Sequence, residues 1–224
     1  ILRMILDLNS VYLSYTKDYY QLHDVTFHLD NGETKVILGE RESGKSSITR
    51  IIVGLEKAQM GSVTLNGIDV DKFDYVLDAS IGYIPSNGAF LENKDIVKNL
   101  EYVLKIRKIA KSEISVKVRN ALSTYVLDLI KGKKLKDLTN MERFKVSVAR
   151  LSMRNLDMIV VDDVFASLND AEIIDAVKYL KELQKLNGCT MLICTSSSEV
   201  ADMIKAPILR LQSGTIIKER DNNG

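Results

Sequence analysis

Apolar and polar positions alternate over the start of the chain. Ile5 to Tyr15, Val25 to Leu29 and Thr34 to Leu38 are rich in β-branched or aromatic residues and are separated by polar breaks, which predicts three strands. An Asn31-Gly32 turn precedes the third. Ser46 to Leu55 then reads as a helix, and Ser62 to Val70 alternates around Asn66-Gly67, a strong hairpin signal. Ile81 to Ile84 is a further short strand, stopped by Pro85.

The period changes in the second half. From Asp95 to about Ile130 apolar residues recur at helical spacing, as Leu100, Val103 and Leu104, then Val118, Leu122, Val126 and Leu129, predicting two amphipathic helices. A Lys-rich link (Lys131, Lys133, Lys134, Lys136) leads to a predicted helix from Asn140 to Met153. Met158 to Val161 is a buried strand, Ala171 to Leu186 a helix, Thr190 to Thr195 a strand, and Ile208 to Leu211 with Thr215 to Lys218 a closing hairpin. Strands alternating with helices predict a parallel sheet covered on both faces. There is no internal repeat and no low-complexity tract.

The 224 residues, 46% hydrophobic and 27% charged, suit one soluble domain with an insertion, or two lobes, and exclude disorder and fibre. A net charge of +1 gives no global field for nucleic acid, and no nucleic-acid partner is expected. The sign is uneven, because residues 101–136 hold ten Lys or Arg against three Asp or Glu. That basic stretch is either solvated helix surface or a docking face. Cys189 and Cys194 are spaced so that their side chains fall on opposite faces of one strand, so they are not expected to pair. His23 and His28 are the only histidines, too few for a histidine-based metal set. Apolar runs such as Met158 to Val161 fall far short of the ~20 residues of a membrane span, and no signal peptide is visible. The chain opens with Ile1 rather than Met, as a segment of a longer polypeptide would.

Gly39-Glu40-Arg41-Glu42-Ser43-Gly44-Lys45-Ser46 fits G-x-x-x-x-G-K-[ST] between a strand ending at Leu38 and a helix beginning near Ser46, which is where a phosphate-binding loop belongs. Glycines let successive NH groups face one centre, to which the helix adds its positive end. Lys45 is expected to reach the β and γ phosphates and the Ser46 hydroxyl to bind Mg²⁺. Ile159-Val160-Val161-Asp162-Asp163 supplies the carboxylate such a metal needs, with Asp162 at the strand tip and Asp163 beside it as a candidate base.

The order of these pieces resembles the nucleotide-binding domain of ABC (ATP-binding cassette) proteins, from about Asn9 to Glu219. The resemblance implies an α/β fold: a P-loop NTPase core with an antiparallel β subdomain (residues 1–86 and 138–224) and a small helical subdomain (87–137) that docks on membrane partners. It implies that Tyr15 stacks on adenine, with Tyr19 and Tyr20 as neighbouring competitors, and that Gly39, Arg41, Ser43, Gly44, Lys45, Ser46 and Ser47 hold ATP. Ser46 and Asp162 are the implied Mg²⁺ ligands. Leu138, Thr139, Asn140, Met141 and Glu142 stand at the signature, where the family has Leu-Ser-Gly-Gly-Gln.

The departures fall where chemistry happens. The family's catalytic glutamate is here Asp163, one methylene shorter, and a misplacement of about one ångström costs on the order of 10²-fold in rate. The switch histidine is Ser196. The glutamine expected after Tyr83-Ile84-Pro85, a reach toward metal and water, is Ser86, and Asn169 replaces an Asp between paired domains. Asn140 and Met141 add bulk at the signature and Glu142 adds negative charge near an anion. Glu42 adds another acid in the P-loop, which Arg41 offsets.

These positions together predict an ATP-binding subunit that keeps MgATP binding and loses most hydrolysis. It would pair with a second nucleotide-binding domain, a heterodimer being favoured over a homodimer, and couple nucleotide occupancy to a transmembrane transporter subunit. The expected location is cytoplasmic, at the inner face of the cell membrane. The competing readings are a regulatory or structural nucleotide-binding module without a transport role, a slow but active ABC ATPase, and a P-loop ATPase or GTPase of another class.

Overall fold

The strands of the second half meet two strands from the first half, Thr34–Leu38 and Ile81–Ile84, in a single sheet. The structure, a computed structural model, describes residues 4–16, 19–73 and 80–217. The chain runs β1 (Met4–Thr16), β2 (Tyr19–Asp30), β3 (Thr34–Leu38), α1 (Lys45–Ile52), β4 (Met60–Leu65), β5 (Ile68–Asp69) and β6 (Ile81–Ile84). It continues with α2 (Ile96–Lys105), α3 (Lys111–Thr124), α4 (Asn140–Ser152), β7 (Met158–Asp162), α5 (Asp170–Asn187), β8 (Thr190–Thr195), α6 (Ser198–Ile204), β9 (Ile208–Gln212) and β10 (Thr215–Ile217). No helix among the described residues is long and apolar enough to cross a membrane.

The larger sheet has the order β10-β9-β3-β8-β7-β6, parallel except for β10. The smaller sheet, β2-β1-β4-β5, is antiparallel. Alternation along the central strands divides the core. Ile37, Val160, Leu192 and Cys194 face α1 and the antiparallel sheet. Val36, Val161, Ile193 and Met191 face the layer of helices α2 to α6. Each central strand is apolar on both faces because both faces are covered. Cys189 and Cys194 lie free in opposite halves of this core. Leu38 pairs with Thr195 and Asp162 with Cys194, so the carboxyl ends of β3, β7 and β8 stand side by side. In open parallel sheets that edge is where ligands bind.

The fold class is the one expected, with local differences. The second strand begins at Tyr19, well before Val25, because Leu22 is buried and pairs with Leu13. Helix α6, capped by the Ser197 hydroxyl, was not expected; its seven residues are too short for periodicity to reveal. Lys218 and Glu219 lie outside the described residues. The second basic helix stops at Thr124: Val126 has φ +54° and Leu129 is 98% exposed, so neither belongs to the helix's apolar stripe.

Leu122 is buried in the helical layer. Leu122→Ala is therefore expected to lower stability by about 2–5 kcal/mol, and Leu129→Ala to stay within about 0.5 kcal/mol of the parent chain. Urea denaturation of the two variants checks this, and equal losses would contradict the observed helix end.

Candidate functional site

Beyond Leu38 the chain must turn sharply into α1. A side chain at Gly39 would place its Cβ 2.6 Å from the Leu211 carbonyl oxygen and 2.5 Å from Ser43 Oγ, so the close approach requires glycine. Gly44 caps α1 at φ +107°, where a Cβ would meet Leu22 Cδ2 at 2.8 Å. The loop's other left-handed residue is Glu42, φ +63°, a conformation that costs an L-residue about 1–2 kcal/mol. Its carbonyl accepts from Gln21 Nε2 at 3.2 Å. Arg41 is exposed next to it. The Gly214 amide donates to the Ser43 carbonyl at 2.9 Å, tying the loop to the β9–β10 turn. The buried Ser43 hydroxyl has no hydrogen-bond partner among the described residues.

The turn encloses Lys45, which is only 4% exposed. Its ammonium donates to the carbonyls of Gly39 and Glu40, each at 2.7 Å, and lies 3.8 Å from Asp163 Oδ2. Asp162, 3% exposed at the tip of β7, accepts from the Ser46 hydroxyl at Oδ1, 3.0 Å, and from the Tyr83 phenol at Oδ2, 3.2 Å. Burial pushes the Asp162 carboxyl above its usual range, the hydroxyls of Ser46, Tyr83 and Thr49 oppose this, and the charge of Asp163 adds to it. Burial, then the charge of Asp162, pushes the Tyr83 phenol up to about 12, so it stays a donor.

Asp163 adopts φ +48°, with its amide on the Cys194 carbonyl at 2.9 Å. One carboxylate oxygen accepts from both the amide and the hydroxyl of Ser196, at 3.1 and 3.2 Å. Two residues far apart in sequence are thereby joined at one point. The loop, Lys45, Ser46, Asp162, Asp163 and Ser196 form one cluster at the carboxyl edge of the sheet.

The remaining candidates lie around this cluster. Tyr15, 56% exposed, accepts from Arg50 at 2.7 Å and lies 3.4 Å from the buried Ser47 hydroxyl, with its ring open to solvent. The competitor Tyr20 instead packs edge-on with Tyr12 and His23, and the side chain of Tyr19 lies outside the described part. Ser86 is exposed just past β6. Leu138 is buried, and Thr139 opens α4 in a capping box: its hydroxyl accepts from the Glu142 amide, and Glu142 Oε2 accepts from the Thr139 amide at 2.8 Å. The other Glu142 oxygen sits 3.5 Å from Lys133. The carboxylate expected to confront an anion is thus engaged in its own helix end. Met141 is buried in the core, so the expected bulk at the surface comes from Asn140 alone, whose amide donates to the Ser167 carbonyl at 3.0 Å. Asn169 caps α5 in a second such box with Glu172. Sequence reasoning passed over Tyr83, which hydrogen-bonds Asp162; the capping boxes were legible as T-x-x-E and N-x-x-E.

Since burial favours the protonated Asp162, the folded chain keeps a proton there after the unfolded chain has lost it. That contribution is present at low pH and lost as pH rises from the ordinary carboxylate value, about 3.9, through the raised one. Asp162→Asn, of equal shape and no charge, is expected to raise the unfolding midpoint of the nucleotide-free chain at pH 7 and to flatten its decline with pH. Thermal unfolding at pH 5 and pH 8 checks this, and a lower midpoint at pH 7 would contradict it.

Among solved structures, the chain is similar to a dimeric ATP-binding cassette in a post-hydrolysis state bound to ADP and Pi, with TM-score 0.83 and 22% identity over 98% of this chain and 100% of that one. CbiO1 from Clostridium perfringens, part of the CbiONQ ABC transporter complex, gives TM-score 0.83 and 21% identity over 96% of this chain and 88% of that one. Among curated proteins, the molybdate/tungstate import ATP-binding protein WtpC of Thermococcus kodakarensis is 31% identical over 188 residues, 83% of this chain and 57% of the relative. WtpC of Methanocaldococcus jannaschii is 28% identical over 204 residues, 91% of this chain and 67% of the relative. The chain spans little more than half the length of the first of these relatives. Residues 22–166 match the ABC transporter family, and with the P-loop and carboxylate geometry above, the chain belongs to that family.

Proposed function

We propose that this chain is an ATP-binding domain of an ABC transporter that binds MgATP, hydrolyses it weakly or not at all, and transmits its occupancy to a membrane partner. The observation that carries this reading is the buried Lys45 ammonium at the mouth of the P-loop, with Asp163 held by Ser196 beside it. In this reading the amides of the loop from Gly39 to Gly44, with Arg41, Ser43, Ser46 and Ser47, surround the phosphates, Lys45 exchanges backbone carbonyls for phosphate oxygens, and the exposed ring of Tyr15 takes the base. Mg²⁺ suits the Ser46 hydroxyl and Asp162 carboxylate, two hard oxygen donors 3.0 Å apart, and when bound it would neutralise phosphate charge. Asp162, already short of solvent, then gains a counter-charge.

Weak turnover follows from the second acid. Asp163 is shorter than the family's glutamate, and its carboxylate spends one oxygen on Ser196 and turns the other toward Lys45. Ser196 cannot supply an imidazole, and Ser86 has little reach. A slow but active ATPase is the second reading, favoured by the carboxylate that Asp163 retains. The partners are a second nucleotide-binding domain, preferably a different chain with more complete catalytic groups, and a transmembrane subunit docked on the helical subdomain of residues 87–137. This places the chain on the cytoplasmic side of the membrane. The relatives named for molybdate/tungstate import support an importer as that partner.

Calorimetric titration is expected to give binding of MgATP in preference to GTP and loss of binding by at least about 100-fold in Lys45→Ala, the equivalent of about 2.7 kcal/mol. Preference for GTP, or no loss in the variant, would overturn the assignment. For turnover, Asp163→Glu combined with Ser196→His is expected to raise phosphate release by on the order of 10²-fold. A parent chain already releasing many phosphates per second would overturn the proposal of weak hydrolysis.

A further inference from the structure

Two side-chain hydroxyls donate to the Asp162 carboxylate, and one of them, Ser46, comes from α1. The other, from Tyr83, reaches across from the edge strand β6. Tyr83 pairs in register with Val160 of β7, and alternation puts Val160 and Asp162 on the same face. The phenol therefore rises beside the strand that ends in the acid and meets it at Oδ2, 3.2 Å away, while Ser46 occupies Oδ1 at 3.0 Å. The half-buried ring packs against the core cluster that holds Ile81 and the apolar face of α1, and with Ile81 it walls a groove of about 240 Å³ that Arg150 and Arg154 also line.

We infer that Tyr83 is a positioning residue for the metal ligand Asp162: its phenol holds Oδ2 and so presents Oδ1, beside Ser46, to Mg²⁺. The inference rests on the MgATP reading above. The Ser46 hydroxyl belongs to the P-loop helix and engages only Oδ1. Tyr83 belongs to the sheet and holds the other oxygen. Groups that orient a metal-binding side chain in this way are typically worth about 10–100-fold in metal affinity. A residue that only filled space would affect nucleotide binding equally with and without metal.

The test is Tyr83→Phe, which keeps the ring and removes only the hydroxyl. Affinity for ATP is measured by fluorescence or calorimetry in Mg²⁺ and again in EDTA, and Mn²⁺ binding to the ATP-loaded chain is followed by electron paramagnetic resonance. The expected result is about a 10-fold loss of Mn²⁺ affinity and of the Mg²⁺-dependent gain in ATP affinity, with ATP affinity in EDTA unchanged. Equal losses in Mg²⁺ and EDTA, or no loss in either, would overturn the inference. If the parent chain gained no ATP affinity from Mg²⁺, the functional reading itself would fall first. Should Tyr83→Phe unfold early, Tyr83→His, a smaller ring that removes the phenol, is expected to show the same metal-selective loss; a metal-independent loss there would also overturn it.

Discussion

An ammonium group withdrawn from water has to be solvated by the protein, and Lys45 obtains that solvation from the loop that precedes it. Carbonyls of Gly39 and Glu40 at 2.7 Å replace two water molecules, and Asp163 at 3.8 Å supplies the counter-charge. To bring two carbonyls onto its own side chain, the backbone must curl through left-handed positions and pass close to the β9–β10 turn. Gly39 and Gly44 make that curl sterically possible. Loops that curl in this way are the ones that gather backbone amides around an anion. A buried cation and an anion cradle are in this sense one structure.

The parallel sheet supplies everything the loop does not. Because β3, β7 and β8 end level with one another, Lys45, Asp162, Asp163 and Ser196 arrive at a common edge although the chain separates them widely. Two carboxylates there oppose one lysine, and burial already makes Asp162 reluctant to ionise. The site is consequently crowded with like charge. A metal ion and a polyphosphate would relieve it on both sides. Asp163 has found a local solution in the meantime by accepting twice from Ser196.

How far the sequence revealed this depends on whether the determining contact is local. The P-loop, the hydrophobic β7 with its terminal acid and the Asn66-Gly67 hairpin are all local patterns, and the structure has each element where the pattern lies. Helix α6 is local too, but seven residues give too few turns for a period to emerge. The contacts across strands were hidden. Nothing in Ile81 to Ile84 announces that this strand lies beside β7, so Tyr83 could not be linked to Asp162 before the sheet order was known. The bond between Asp163 and Ser196 was hidden for the same reason. Glu142 is a different case: its T-x-x-E spacing is visible in the sequence, and the structure has its carboxylate in the cap rather than facing an anion. Leu129 kept helical spacing beyond the point where Val126, in a left-handed conformation, had ended the helix.

The account turns on Lys45 changing partners while Asp163 does not. A crystal structure of the chain with MgATP measures both at once. The account predicts that the Lys45 ammonium leaves Glu40 and Asp163 for phosphate oxygens while the Asp163 carboxylate stays on Ser196. A lysine still on its backbone carbonyls with the nucleotide bound elsewhere, or an Asp163 swung free to hold a water against the terminal phosphate, would contradict it.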